Sequence, residues 1–252
     1  MKIAIVTGAS SGMGREAIIQ IADRFSGIGE IWAVARREDR LRELERQLPV
    51  PLRIFPLDLC DEEDLKSLDE ALQEKKPEVR LLVNSAGYGK IGKVGNLGLR
   101  DETGMVRLNC EALCAVTHIV LPYIPDHSRI IQFASSASFL PQPGFAIYAA
   151  TKSFVLSYSR ALNTELRARD ITVTAVCPGP VKTEFFDIAE TTGTIPLYKR
   201  LAMADPKKVV RLALRDSMMG KSISVYGPLM KAFSVLCKVF PHEFLLRVMD
   251  SL

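Results

Sequence analysis

The chain has little of what metal centres, disulfide scaffolds and membrane spans are built from. Among its 252 residues are three histidines and five cysteines. Cys60, Cys110, Cys114, Cys177 and Cys237 form no CxxC pair and no Cys/His cluster at metal-ligand spacing, and their number is odd. This excludes a zinc ribbon or a closed disulfide framework and points to free thiols in a reducing, cytoplasmic setting. Cys110 and Cys114, four apart in an apolar helical pattern, read as core or interface residues rather than ligands. No stretch reaches the ~18 uncharged apolar residues that cross a bilayer. The opening MKIAIVTG goes straight into a strand pattern, with no signal-like leader. Runs of like charge are absent and the formal net charge is only +4, so nucleic acid is not an expected partner.

What is present is a regular alternation. Lys2–Thr7, Glu30–Ala35, Leu52–Leu57, Arg80–Val83, Arg129–Ala134, Ile171–Val176 and Ser222–Tyr226 are short apolar or β-branched runs. Amphipathic stretches separate most of them. Strands alternating with helices imply right-handed crossovers and a parallel sheet, with ligands gathering at the carboxyl ends of the strands. With 48% hydrophobic residues the chain can fill a sizeable core. Neither an internal repeat nor a linker divides it. The expectation is one α/β domain over residues 1–252, with 228–252 as a helical apolar extension.

The first strand runs into Thr7-Gly8-Ala9-Ser10-Ser11-Gly12-Met13-Gly14 and then an amphipathic stretch. Strand, glycine-rich turn and helix together predict a phosphate site. Glycines let backbone N–H groups approach a pyrophosphate at a helix N-terminus, where the dipole favours negative charge. The second strand ends in Arg36-Arg37, with no acid at its tip. In a dinucleotide fold an acid there binds the ribose 2′-hydroxyl of NAD, whereas arginine suits the 2′-phosphate of NADP. NADP(H) is the expected cofactor, with NAD(H) admitted.

Tyr148 and Lys152 lie four apart at the head of a helical pattern and so share one face. Such pairs are usually a packed ring and a solvated amine. An ammonium beside a phenol also lowers the phenol's pKa and prepares it for proton transfer. Ser135, Ser136 and Ser138 stand just upstream as possible donors to a substrate oxygen. Asn109 sits in an otherwise apolar helical stretch, where a buried amide is either structural glue or part of a site. Residues 185–200 have no clean period and read as a lid over a substrate pocket. The stripe Phe154, Val155, Tyr158, Leu162 and Leu166 reads as core or subunit interface. The apolar tail after Pro228, divided by Pro241 into two helices, has three readings: packing on its own subunit, a subunit contact, or membrane-surface contact.

Taken in order, Thr7-Gly8-x-x-x-Gly12-x-Gly14, Asp58, Asn84-x-Ala86-Gly87, Asn109, Ser136, Tyr148-x-x-x-Lys152 and Pro178-Gly179-x-Val181-x-Thr183 resemble the short-chain dehydrogenase/reductase family over nearly the whole chain. The resemblance implies a Rossmann-type doubly wound sheet of seven parallel strands. It also implies an NAD(P)-dependent oxidoreductase interconverting a carbonyl and an alcohol. By matching position, Asp58 and Leu59 lie at the adenine, Asn84, Ala86 and Gly87 along the nucleotide, and Val181 and Thr183 at the nicotinamide carboxamide. Asn109, Ser136, Tyr148 and Lys152 are the implied catalytic set. Phe139 stands where a glycine is often found, and the span from Ser136 to Tyr148 is one residue shorter than the common form; Ser136 is the assigned serine and Ser138 the alternative. A homodimer or homotetramer is the implied assembly, and an apolar, lipid-like or steroid-like carbonyl compound the expected substrate. The competing reading is an NADPH-binding sensor or partner-binding protein without useful turnover.

Overall fold

The β-branched runs pair side by side in one parallel sheet. The computed structural model describes residues 1–190, 192 and 203–250, with side chains through 247. The strands are β1 (Lys2–Thr7), β2 (Glu30–Val34), β3 (Leu52–Phe55), β4 (Glu78–Asn84), β5 (Arg129–Phe133), β6 (Thr172–Val176) and β7 (Ile223–Ser224). Their order across the sheet is β3-β2-β1-β4-β5-β6-β7, and every pairing is parallel. From Ile3 to Thr7 every residue of β1 is buried, as a strand covered on both faces requires. The order reverses between β1 and β4, which opens a crevice at their carboxyl ends.

The helices on the two faces are α1 (Gly12–Arg24), α2 (Glu38–Glu45), α3 (Glu62–Lys75), α4 (Leu99–Val106), α5 (Ala112–Val120), α6 (Ala146–Glu165), α7 (Phe185–Ala189), α8 (Pro206–Met218), α9 (Pro228–Val239) and α10 (His242–Asp250). Ile18 and Ile21 of α1 pack with Val209 and Val210 of α8 on one face of the sheet. On the other face, Leu68 and Leu72 of α3 join Val116 and Val120 of α5 and Leu162 of α6. Local caps follow the sequence. Asp61 accepts from the amides of Glu63 and Asp64 at the start of α3, and Asp205 accepts from Lys207 at the start of α8.

Between α4 and α5 the chain widens into one π-type turn, Arg107–Glu111. Such turns insert a residue into a helix and often re-aim a side chain at a functional site. The continuous helical stretch Leu99–Tyr123 is long and apolar enough to cross a membrane by length and composition, so the longest apolar helix lies mid-chain and not in the tail. Ala112, Leu113, Val116, Thr117 and Val120 bury one face of it against the protein.

The tail adds α9 and α10 after β7. Cys237 and Leu245 pack with Leu140, while Phe139 and Phe233 lie alongside. Leu229, Val235, Val239 and Phe244 remain exposed on the outer side. Of the lid segment expected at 185–200, Phe185–Ala189 is the short helix α7; residues 191 and 193–200 lie outside the described residues.

Candidate active site

The glycine-rich turn after β1 forms a cradle. Gly8 has φ +65°, and a Cβ on it would stand 2.7 Å from the Ala86 amide nitrogen, so the turns after β1 and β4 meet backbone to backbone. Thr7 Oγ1 ties them together, accepting from the amides of Ser85 and Ala86 at 3.1 and 3.2 Å. Helix α1 begins beneath this turn. Its N-cap, Ser11, makes no side-chain capping bond, and its first turn holds no acid. Helices α2, α3 and α4 each carry acids there. The amides at Gly12, Met13 and Gly14 thus keep a positive helix end without a carboxylate to neutralise it, which fits a pyrophosphate.

At the tip of β2, Arg36 reaches Asp58 at 3.6 Å, with both side chains largely solvated. Asp58 also accepts from the Cys60 amide, and Leu59 is buried beside it. Arg37 turns inward. Its Nε and Nη2 both donate to Ser10 Oγ at 3.2 Å, and its Nη1 donates to Glu184. The arginine expected to read a ribose phosphate therefore already touches the phosphate turn. Thr183 closes the other side, 3.4 Å from where a Cβ on Gly12 would stand. Val181 is buried and bridges to Ala204, and Pro178 accepts from the Ser136 amide at 2.8 Å. Gly179 lies against Met230 of α9, so the tail packs on this turn.

Asn84 closes β4 opposite Thr7. Its side-chain nitrogen is buried and donates to Thr117 and Gln132, which anchors the end of β4. Asn109 occupies the π-type turn with no exposed surface. Its Oδ1 accepts from the Tyr88 amide at 3.0 Å; its Nδ2 donates to the Tyr88 carbonyl at 2.9 Å and to Thr151 Oγ1 at 3.0 Å. It clamps the segment after Gly87 to α6. A Cβ on Gly87 would stand 2.8 Å from Asn109 Oδ1 and 3.3 Å from Lys152 Nζ, so the asparagine and the lysine share one corner.

Tyr148 and Lys152 lie on the first turns of α6, both buried. Lys152 donates to the Phe133 carbonyl at 2.8 Å and sits 5.7 Å from the centre of the Tyr148 ring. The expected lowering of the tyrosine pKa by this lysine is not what the geometry gives. Burial dominates, pushing the Tyr148 phenol up to about 12, against a hydrogen bond from Ser135 that lowers it. Burial pushes Lys152 down to about 8.

Ser135, rather than Ser136 or Ser138, is the serine that acts on the Tyr148 phenol, lowering its pKa against burial. Ser135 Oγ also caps the short 3₁₀ turn Ser136–Phe139 by accepting from the Ala137 amide at 3.1 Å. Ser138 Oγ is turned back onto the Ser135 carbonyl. The sequence held the clue: taking Ser135 instead of Ser136 restores the residue by which the span to Tyr148 looked short.

Aromatic rings wall the tyrosine. Phe145 stacks on it with ring centres 4.3 Å apart, and Phe185 tilts against it at 5.3 Å. Gly89 makes the room, since a Cβ there would come within 2.9 Å of all three rings. Thr151, Glu184 and Arg40 escaped the sequence reading, and nothing in their local pattern marks them.

The family model for short chain dehydrogenases matches residues 2–192. Sulfoacetaldehyde reductase 2 of Chromohalobacter salexigens is 35% identical over 192 residues, covering 73% of this chain and 74% of that protein. The NADP-dependent 3-hydroxy acid dehydrogenase of Escherichia coli O6:H1 is 32% identical over 191 residues, covering 74% and 75%. A short-chain dehydrogenase from Sphingobium yanoikuyae, solved in complex with NADPH, superposes with a TM-score of 0.79 at 26% identity, covering 96% of this chain and 97% of that one. With its dinucleotide cradle and its Ser, Tyr and Lys at one sheet edge, the chain belongs to the short-chain dehydrogenase/reductase family and is an oxidoreductase that exchanges hydride between a carbonyl and an alcohol.

Proposed function

We propose an NADP(H)-preferring carbonyl reductase acting on apolar ketones or aldehydes. The observation that carries this reading is the buried Tyr148, flanked by Phe145 and Phe185, with Ser135 lowering its pKa. Gly8, Ser10, Ser11, Gly12, Met13 and Gly14 would hold the pyrophosphate, and Arg37 the 2′-phosphate. Thr183 and Val181 would meet the nicotinamide, which when bound supplies the hydride.

The Ser135 hydroxyl holds the carbonyl oxygen in place. The Tyr148 phenol gives that oxygen its proton as negative charge develops there. A phenol pushed up to about 12 is fully protonated at neutral pH, which is the form that reduction uses. Lys152 keeps its charge at pH 7, since its pKa stands at about 8. Asn109 holds the π-type turn and keeps Tyr88 and Thr151 in register beside the lysine. Phe145 and Phe185 exclude water from the phenol and favour an apolar substituent on the substrate.

Free thiols support a cytoplasmic setting. The half-exposed Phe154, stacked on Tyr158 along α6, suits a subunit contact in a homodimer or homotetramer. The exposed outer side of α9 and α10 leaves membrane-surface contact as a further role of the tail.

The test is oxidation of NADPH and of NADH over a carbonyl panel that includes aromatic ketones, sulfonated aldehydes and 3-oxo acids. NADPH with an apolar carbonyl should turn over fastest. Tyr148→Phe should lower turnover by about 10²–10⁴-fold while NADPH still binds. Turnover retained in Tyr148→Phe would remove the tyrosine from the chemistry. NADPH binding without turnover of any carbonyl would favour a sensor.

A further inference from the structure

Two guanidinium groups at the cofactor edge converge on one carboxylate. Arg37 Nη1 donates to Glu184 Oε2 and Arg40 Nη1 donates to Glu184 Oε1, each at 2.9 Å. Arg37 spends Nε and Nη2 on Ser10 Oγ within the phosphate turn. Glu184 follows Thr183 directly, so this cluster ties the turn after β1, the tip of β2 with the start of α2, and the segment after β6 to one point. The carboxyl is held below its usual range, first by the Arg37 hydrogen bond, against partial desolvation, and then by Arg40. It is therefore an anion at neutral pH, seated on the arginine that the NADP(H) reading assigns to the 2′-phosphate.

We propose that Glu184 is a built-in rival of the cofactor's 2′-phosphate for Arg37 and Arg40, and so sets how strongly the enzyme prefers NADP(H) over NAD(H). The inference rests on the NADP(H) reading above. A phosphate monoester brings about −1.5 to −2 charges and three acceptor oxygens against the single charge of a carboxylate. It can displace Glu184 from the arginines, but a fixed fork of N–H donors cannot serve both anions in the same directions. If the carboxylate stays close by, it repels the phosphate instead. In either case its negative charge weakens binding of the 2′-phosphate and leaves the rest of the nucleotide untouched. Arg40, in the first turn of α2, becomes a second reader of the same phosphate.

The test is calorimetric titration of 2′,5′-ADP and 5′-AMP into the full chain carrying Glu184→Gln, Arg37→Ala or neither substitution. Glutamine keeps the shape of the side chain and removes its charge. Glu184→Gln should bind 2′,5′-ADP tighter, on the order of threefold to tenfold, and 5′-AMP unchanged. The gain should shrink as salt rises. Thermal unfolding of the unliganded variant establishes that it is folded. Unchanged 2′,5′-ADP affinity in folded Glu184→Gln overturns the proposal, and weaker affinity does so too, by making Glu184 a clasp over the bound nucleotide. If Arg37→Ala discriminates between the two nucleotides as well as the unsubstituted chain does, the NADP(H) reading itself falls and the rivalry falls with it. If Arg37→Ala loses the discrimination while Glu184→Gln changes nothing, only the rivalry falls.

Discussion

The Ser135 hydroxyl lowers the pKa of the Tyr148 phenol against the effect of burial, while its oxygen accepts the Ala137 amide at 3.1 Å. Taking an N–H on one lone pair fixes the hydroxyl at the mouth of the 3₁₀ turn and leaves its own proton for the site. Ser136, the next residue, has its amide bound to the Pro178 carbonyl and starts the turn instead. This relationship supports Ser135 as the serine of the proposed mechanism.

Ser135→Ala should therefore lower kcat by about a hundredfold or more, the effect of losing one preorganised donor to a developing oxyanion. Ser136→Ala should stay within a few-fold of the unsubstituted enzyme. Steady-state kinetics of both variants on one carbonyl would check the pair. A larger loss in Ser136→Ala would return the role to Ser136.

The π-type turn makes a separate prediction. Asn109 is fully buried and makes three hydrogen bonds, two of them to the backbone of Tyr88. Asn109→Ala strips the Tyr88 amide and carbonyl of these partners at the edge of the crevice. Each group left unsatisfied costs about 1–3 kcal/mol, so the two together lower stability by roughly 2–6 kcal/mol in denaturant unfolding, toward the low end because both are part-buried. Turnover should fall too, since the corner beside Lys152 and Gly87 loses its clamp. A variant of full stability and full activity would show that Asn109 clamps nothing.

How much of this was legible beforehand follows from the physics of each element. The central strands read cleanly because both faces of β1, β4 and β5 are buried, and a β-branched run has no other stable place. The edge strand β7 shrank from the expected Ser222–Tyr226 to Ile223–Ser224, since it pairs on one side only. Tyr148 and Lys152 were legible as two residues on one helical face; that Lys152 points at the Phe133 carbonyl was not, because that contact crosses from α6 to β5. The π-type turn leaves no trace in a 3.6-residue period. Glu184 looked like any acid in a loop, and only the fold brings it to Arg37, 147 residues away.

The last prediction concerns pH. Lys152 is buried and its pKa is lowered from 10.5 to about 8. Below about pH 8 it is charged in both folded and unfolded chains, and the folded state bears the full desolvation cost. Between about pH 8 and 10.5 the folded protein gives up the proton while the unfolded chain keeps it. The unfolded state then binds more protons, so stability rises with pH through that window. The shift corresponds to a contribution on the order of 3 kcal/mol. Tyr148 acts in the opposite sense and later. Its pKa is raised from 10.0 to about 12, so its contribution is intact below pH 10 and is lost as pH rises toward 12. Lys152→Met removes the first effect and leaves the second. The unsubstituted protein should therefore gain melting temperature relative to Lys152→Met as pH goes from 7 to 9.5, in unliganded scans. A constant difference across that range would mean that Lys152 keeps an ordinary pKa in the folded protein, and the charge state assigned to it in catalysis would have to be redrawn.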